Sequence, residues 1–325
     1  MGRALRITHY YHSGFSVADD QVLLVFDYWR GEEGELTPEV ELSEAELKKY
    51  DHVFVFISHD HVDHMDPIVY SWKEMTDVSY IVSSDMPVGT RGKRMAPGDT
   101  YLLMDGLLVK AFDSTDLGVS FLVDWDGFRI FHAGDLNFWH WREESTMQEI
   151  EEAETEFRKA IEPLTKERID LAFFPVDPRQ GFMFDAGANY FIMAVKPALL
   201  VPMHYFHRAD VAMEYARTAT NRLTEVVAMP GYGDVMRLEI TEDNYYDISF
   251  PRRHVPEGMV DDGTYGNDEM QEEENQQEEP SLEDIYQEDP FIESDLPLPQ
   301  LISDSENRPE EDEGENAGKS SISEQ

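Results

Sequence analysis

The most constraining feature of the sequence is a run of metal-ligand side chains at the end of an apolar segment. Residues 53–57 are all apolar and predict a buried strand. They lead into Ser58-His59-Asp60-His61-Val62-Asp63-His64-Met65-Asp66, where three His and three Asp fall within eight positions. Imidazole and carboxylate are preferred ligands of borderline divalent metals, and one loop can bring several of them to a point. We therefore predict a metal site here; the alternative is a solvated polar turn that is rich in His.

Short apolar runs separated by turn signals extend on both sides of this loop and indicate an α/β protein. The runs rich in Val, Ile, Phe and Leu predict strands at residues 5–11, 15–17, 22–26, 52–58, 79–83, 107–111, 119–123, 128–132, 171–175, 198–202 and 235–240. Amphipathic patterns and capping residues predict helices at residues 43–50, 67–75, 143–164, 186–195 and 210–223, with Asp185 as an N-cap. Residues 235–240 are the last clear strand, and the fold is expected to close before His254.

A break in composition near residue 254 divides the chain into two predicted domains. The 325-residue chain has a formal net charge of −42. Residues 255–325 contain 24 Asp and Glu but only two basic residues, Arg308 and Lys319, which leaves −20 for residues 1–254. A segment with few apolar residues and high net charge cannot bury enough surface to offset its ordering entropy. Residues 255–325 are therefore predicted to be a disordered acidic tail. An apolar island at residues 296–302 is either solvated linker or a contact site for a protein partner.

Composition also restricts partners and compartment. The acidic body argues against binding along a nucleic-acid backbone, because duplex affinity comes mainly from Lys and Arg on phosphates. The chain has no Cys, which is typical of a reducing compartment. The first 15 residues show no apolar core of a signal peptide, and no apolar run approaches the roughly 20 residues of a membrane-spanning helix. A soluble cytoplasmic protein that acts on a small molecule is expected.

Three further motifs share chemistry with the metal-ligand loop, one before it and two after it: His12-Ser13-Gly14-Phe15, Phe131-His132-Ala133-Gly134-Asp135 and Val201-Pro202-Met203-His204. With the loop, they make the chain resemble the metallo-β-lactamase superfamily from about residue 5 to residue 240. Within that superfamily it is most similar to the branch of L-ascorbate-6-phosphate lactonase. The resemblance implies an αββα sandwich, with two mixed β-sheets flanked by helices and two metal ions at one edge between the sheets.

The resemblance also implies six metal ligands: His59, His61, Asp63, His64, Asp135 and His204. In that arrangement His59 and His61 bind the first ion, while Asp63, His64 and His204 bind the second. Asp135 would bridge both ions, since a shared anion reduces the repulsion between two close cations. A simple turn role for Asp135 and a core role for His204 are the alternatives.

One expected ligand is missing. The superfamily usually supplies a further His to the first ion, between the metal-ligand loop and the bridging Asp, yet residues 110–118 contain no His. The nearest replacements are Asp113, Ser114 and Asp116. Either one of these oxygen ligands replaces the imidazole, or the first site holds its ion weakly. A carboxylate there would favour a harder ion, so the two divalent ions are expected to be Zn(II) or Mn(II).

Six other residues are expected to orient a ligand or to contact substrate: His12, Asp27, His132, Trp139, Trp141 and Arg179. For His12 and His132 a packing role is the alternative. Asp27 ends a strand and is expected to hydrogen-bond the metal-ligand loop. The two Trp residues either form a wall of the substrate pocket or pack the helix at 143–164 onto the body. Arg179 either binds an anionic group of the substrate or forms a salt bridge with a neighbouring carboxylate.

These residues predict a hydrolase that uses a metal-bound hydroxide on an ester, lactone, amide or phosphodiester. Asp135 would hold the ions, and Asp63 would orient the hydroxide and pass a proton to the leaving group. One alternative is a degenerate metal-binding or interaction protein without catalytic activity. The other is a nucleic-acid-processing phosphodiesterase, which the charge disfavours.

Overall fold

Most strands of the fold coincide with the apolar runs of the sequence. A computed structural model describes residues 3–31, 36–141, 144–241 and 246–254. The strands are β1 Arg3–His9, β2 Phe15–Ala18, β3 Val22–Phe26, β4 His52–Ile57, β5 Val78–Ser83, β6 Lys93–Met95, β7 Thr100–Met104, β8 Leu107–Phe112, β9 Ser120–Trp125, β10 Phe128–His132, β11 Leu171–Pro175, β12 Leu199–Met203, β13 Glu225–Val226, β14 Val235–Ile240 and β15 Tyr246–Arg252. The tail prediction for residues 255–325, and the domain boundary that depends on it, lie outside the described residues.

Two mixed sheets form from these strands. In the described part of the chain the first has eight strands in the order β15-β14-β1-β2-β3-β4-β5-β6, and the second has seven in the order β13-β12-β11-β10-β9-β8-β7. β3 to β6 are parallel in the first sheet, and β10 to β13 are parallel in the second. Each sheet therefore has one parallel half, and the carboxyl ends of its strands lie at one edge.

Four helices and three 3-10 helices cover the sheets in the described residues. The α-helices are α1 Glu44–Leu47, α2 Met147–Ile161, α3 Ala186–Val195 and α4 Ala209–Ala219. The 3-10 helices are Pro67–Glu74, Glu162–Lys166 and Pro178–Met183. Thr146 and Glu149 form a capping box at the start of α2, so this helix begins later than residue 143. None of the helices in these ranges is long and apolar enough to cross a membrane.

Burial on both faces explains why β3 and β4 read as continuous apolar runs. Alternate residues of these strands lie in two different clusters: Leu24, Phe26, Phe54 and Phe56 in one, and Leu23, Val25, Val53 and Val55 in the other. The first cluster also holds the strands of the second sheet and its covering helices, and the second holds Leu47 and Trp72 from α1 and the first 3-10 helix. Strands that are buried on both faces lose the polar alternation of a surface strand. The predicted αββα sandwich is confirmed.

The sequence pattern missed four strands, and all four are edges of the two sheets: β6, β7, β13 and β15. The prediction that residues 235–240 form the last strand is wrong, because β15 pairs antiparallel with β14. β15 is only partly buried or exposed along its whole length. An edge strand packs against few neighbours, so it needs little apolar side-chain surface and leaves a weak sequence signal.

Candidate metal centre

The carboxyl ends of the parallel strands bring the predicted ligands together. Asp27 follows β3, the metal-ligand loop follows β4, Asp135 follows β10 and His204 follows β12. In open α/β sheets, ligand sites form outside the carboxyl ends of the strands because the loops converge there. Residues far apart in the chain therefore meet at one edge, between the two sheets.

Asp135 lies at the centre of this cluster. Its Oδ1 is 3.0 Å from Nε2 of His64 and 3.1 Å from Nε2 of His204. Its Oδ2 is 3.4 Å from Nε2 of His59 and 4.0 Å from Nδ1 of His61. The two oxygens therefore face two different pairs of imidazoles. This is the arrangement that a carboxylate needs to give one oxygen to each of two ions.

The donor atoms fit divalent metal ions. Nε2 of His59, His64 and His204, and Oδ1 of Asp135, are buried and have no hydrogen-bond partner among the described residues. Buried polar atoms are nearly always paired, so an unpaired group of this kind indicates a missing ligand. Two atoms bound to one ion at roughly 2.1 Å and at near-tetrahedral or octahedral angles are about 3.0–3.5 Å apart. Three of the four N···O distances around Asp135 fall in that range.

The second nitrogen of three of these imidazoles is held by an oxygen. Nδ1 of His64 is 2.8 Å from Asp27 and Nδ1 of His204 is 2.9 Å from Asp177. The Ser58 hydroxyl donates to Asp27 at 2.6 Å, so its oxygen accepts from Nδ1 of His59 at 2.9 Å. These bonds place the proton on Nδ1 and leave the Nε2 lone pair directed at the centre.

Sequence reasoning placed Asp27 in this role but missed Asp177. Asp177 is fully buried and also accepts hydrogen bonds from the backbone and side chain of Arg179. Burial opposes its ionisation, but His204 and Arg179 lower its pKa to about 2. The sequence does contain one signal for Asp177. It is a carboxylate just after a buried strand, two residues beyond β11, much as Asp27 directly follows β3.

Two glycines allow the metal-ligand loop to pack closely. Gly118 has a φ of +83°, and a Cβ there would lie 2.0 Å from the carbonyl oxygen of Ser58. Gly134 has a φ of +54°, and its Cβ would lie 2.8 Å from Cβ of Ser58. Any larger residue would push Ser58 away from Asp27 and would misplace His59.

Of the three replacements predicted for the missing His, the structure brings Asp116 to the ligands. Ligand atoms of His61, Asp116 and Asp135 all lie within 4.8 Å of one another. The Asp113 carboxylate instead accepts from the backbone of Ser114, and the Ser114 hydroxyl accepts from the backbone of Asp116. His61 and Asp116 are both exposed to solvent, the His61 side chain at 44%. The first site is therefore the open one.

Replacing Asp116 by Ala is expected to weaken the first ion alone. The site would keep His59, His61 and Asp135, and loss of a charged oxygen ligand should lower affinity by at least about tenfold. A chelator titration that follows metal content should show one ion leaving at lower chelator concentration than in the parent. Asp113→Ala is the matched control, because it removes a nearby exposed carboxylate. Equal retention in the two variants would contradict the assignment.

A second group of possible metal ligands includes the two imidazoles that face Oδ1 of Asp135. Ligand atoms of His12, Asp63, His64 and His204 lie within 4.8 Å of one another. Asp63 is partly exposed, with 22% of its side chain accessible. Burial opposes its ionisation, yet the neighbouring imidazoles of His12, His64 and His204 hold its pKa well below the usual range. Burial and the neighbouring His204 lower the pKa of His12 to about 3, so this imidazole is neutral.

His132 holds the two sheets together beside the centre. Its Nε2 donates to the carbonyl of Ser13 at 2.9 Å, and its Nδ1 accepts from the backbone of Gly134 at 3.2 Å. Both ring nitrogens are therefore used, and the residue is fully buried. His132 therefore links the end of β10 to the β1–β2 turn.

Aromatic rings form a wall next to the second group. Nε1 of Trp139 donates to the carbonyl of Asp135 at 2.7 Å, and its ring lies 5.4 Å from that of His204. Trp141 stacks on Trp139 with the ring centroids 6.4 Å apart. The packing against α2 is made instead by the preceding residue, Phe138, which stacks on Phe157. Of the two predicted roles for the Trp residues, the described contacts of Trp139 favour the pocket wall.

Arg179 and Phe206 extend this wall. The Arg179 guanidinium bonds Asp177, the salt bridge that was the alternative role for this residue, and it lies 4.9 Å from the Phe206 ring. Its side chain remains 49% exposed. The Phe206 ring lies 4.0 Å from that of His12. Phe206 was missed because no residue pattern marks a single aromatic after a strand.

Comparisons with known proteins identify the fold. No family model and no curated protein matches the sequence. Among solved structures, the chain is similar to Igni18, a metallo hydrolase from the archaeon Ignicoccus hospitalis, with a TM-score of 0.53 and 19% identity over 72% of this chain and 98% of that chain. It is also similar to the metallo-β-lactamase fold protein YhfI from Bacillus subtilis, with a TM-score of 0.47 and 14% identity over 72% of this chain and 99% of that chain. At such identities the likeness to Igni18 shows a shared fold.

Proposed function

We propose that this protein is a two-metal hydrolase of the metallo-β-lactamase superfamily. The observation that carries the proposal is Asp135, whose two carboxylate oxygens face two separate sets of buried imidazoles. The hydrogen bonds from Nδ1 of His64 to Asp27 and from Nδ1 of His204 to Asp177 support it. They leave Nε2 of each ring free for metal. The shared fold with a protein named as a metallo hydrolase agrees with it.

In this proposal each ion has its own ligands and shares Asp135. His59, His61, Asp116 and Asp135 would hold the first ion, and Asp63, His64, His204 and Asp135 would hold the second. Bound divalent ions would supply an activated water nucleophile and would polarise the bond that is cleaved. Zn(II) suits the imidazole-rich second site, while Zn(II) or Mn(II) suits the first.

The protein's own residues orient the reactants and move the proton. Asp63 is ionised and partly exposed at the mouth of the site, so it can accept a proton from the nucleophile and return it to the leaving group. Trp139 and Phe206 offer an apolar wall to the substrate, and Arg179 offers a partly exposed cation. Small esters or lactones that carry a negative group match this wall. The resemblance to the L-ascorbate-6-phosphate lactonase branch favours the same class.

Hydrolysis by the metal-loaded protein tests the proposal. The full chain, reconstituted with Zn(II) or Mn(II), is incubated with generic lactone, ester, amide and phosphodiester substrates, and His64→Ala is the matched control. We expect metal-dependent hydrolysis of a carbonyl substrate by the parent and little by the control. Two ions per chain without hydrolysis of any class would favour a non-catalytic metal-binding protein. Faster cleavage of phosphodiesters than of lactones would favour a phosphodiesterase.

The cysteine-free composition supports a cytoplasmic location for this activity.

A further inference from the structure

His12 is a buried imidazole whose nitrogens have no partner. It lies in the turn between β1 and β2 with a φ of +54°, and its carbonyl accepts from the backbone of His204 at 3.2 Å. Its side chain is 0% exposed, and neither Nδ1 nor Nε2 has a hydrogen-bond partner within the described ranges. Leaving a buried polar group unpaired is unfavourable, so buried polar atoms nearly always have a partner. A backbone held in the left-handed region for an unpaired ring indicates that something else binds it.

The surroundings of His12 are those of the second ion. Its Nε2 is 3.5 Å from Oδ2 of Asp63, and its ring centroid is 3.9 Å from that of His204. A charge-assisted hydrogen bond between imidazole and carboxylate would be about 2.7–2.9 Å. The observed separation instead matches the roughly 3.0–3.5 Å between two atoms that share an ion.

We propose that His12 is a direct ligand of the second metal ion, together with Asp63, His64 and His204. The inference rests on the proposed two-metal centre and adds a ligand from the turn after β1, at the same edge of the first sheet as the metal-ligand loop. The ring is oriented by packing against Phe206 and Trp29 at centroid distances of 4.0 and 6.1 Å. Packing of this kind replaces the oxygen partners that orient the other imidazoles.

The two sites then differ in chemistry. The first ion has two imidazoles and gains the carboxylate of Asp116, whereas the buried second ion has three imidazoles. Borderline ions such as Zn(II) prefer nitrogen ligands, and harder ions such as Mn(II) prefer oxygen. The second site should therefore retain Zn(II) when the open first site exchanges it for Mn(II).

The experiment counts imidazoles by X-ray absorption on the zinc-loaded full-length protein and measures zinc affinity with a competing chromophoric chelator. For the parent with two zinc ions we expect five imidazoles per pair of ions, from His12, His59, His61, His64 and His204. Four imidazoles would overturn the inference while leaving the two-metal hydrolase intact. A parent that binds no zinc would instead overturn the proposed function itself.

Variants separate ligation from hydrogen bonding. His12→Gln keeps a side-chain donor toward Asp63 but removes the imidazole, and His12→Ala removes both. If His12 is a ligand, both variants lose one imidazole and bind the tighter zinc at least about tenfold less well. His9→Gln is the control for loss of a buried imidazole, because His9 lies three residues away and outside the metal groups. Parent-like affinity and imidazole count in His12→Gln would show that His12 only positions Asp63.

Discussion

Replacing Asp135 by Asn is expected to remove both metal ions and to lower hydrolysis by about 10³-fold or more, since ions at a reacting centre supply several kcal/mol. Asn is nearly isosteric, but it is neutral and offers a single acceptor oxygen. His64 and His204 face one oxygen of Asp135, whereas His59 faces the other. In the variant an amide NH₂ would therefore replace one of the two oxygens, and it cannot bind an ion.

Two measurements test this expectation. Elemental analysis after dialysis gives the metal content, and the rate with the best substrate of the screen gives the loss of hydrolysis. Asp113→Asn is the matched control, because it neutralises an exposed carboxylate near the centre without touching the ligands. Far-ultraviolet circular dichroism checks that the variant remains folded. An Asp135→Asn protein that retained two ions per chain would contradict the bridging role.

Replacing Asp27 by Ala is expected to destabilise the metal-free protein by about 3–5 kcal/mol, the cost of breaking a buried charged network. Asp27 is buried and accepts from Ser58 N at 2.8 Å, from Ser58 Oγ at 2.6 Å and from His64 Nδ1 at 2.8 Å. Its φ is +40°, a conformation that Asp and Asn adopt more readily than Ala. Urea unfolding of the metal-free parent and variant measures the loss.

Asp27→Asn separates stability from metal binding. Asn tolerates the backbone conformation and keeps one acceptor oxygen for Ser58, so it should recover part of the lost free energy of unfolding. Its amide NH₂ would face Nδ1 of His64 and favour the tautomer whose proton is on Nε2, which cannot bind metal. We expect metal affinity to fall by about 10–100-fold, as for other lost orienting partners. Parent-like zinc affinity in Asp27→Asn would show that His64 does not depend on this bond.

Much of the centre was predictable because its signals are local. His59, His61, Asp63 and His64 follow one apolar strand within six positions, so a single loop brings them together. Asp135 and His204 follow strands of the same kind, and a resemblance in spacing was enough to pair them with the loop. Asp27 was predictable as an orienting residue because a carboxylate at the end of a buried strand has to be satisfied by a neighbour.

Other residues were assigned only when the chain was folded. Asp113, Ser114 and Asp116 are equally suitable by type, and the choice among them depends on which way the loop before β9 turns. Asp177 is a single residue in a turn, with no spacing that links it to the metal-ligand loop. His12 was expected to orient a ligand or to contact substrate, and only the fold places it against Asp63 and His204. Phe206 is likewise one aromatic among 18 Phe. For each of these, the contacts cross between strands that are far apart in sequence.

The sequence by itself determined the class of fold, the central strands and the chemistry of the metal-ligand loop. These depend on the period of apolar residues and on ligand spacing within one segment, which are properties of neighbouring residues. The tertiary structure alone decided the four edge strands, the approach of Asp116 to His61 and Asp135, and the place of His12 beside Asp63 and His204. The physical reason is that these features depend on pairing and packing between distant segments, where the partner rather than the local sequence supplies the hydrogen bonds and the burial.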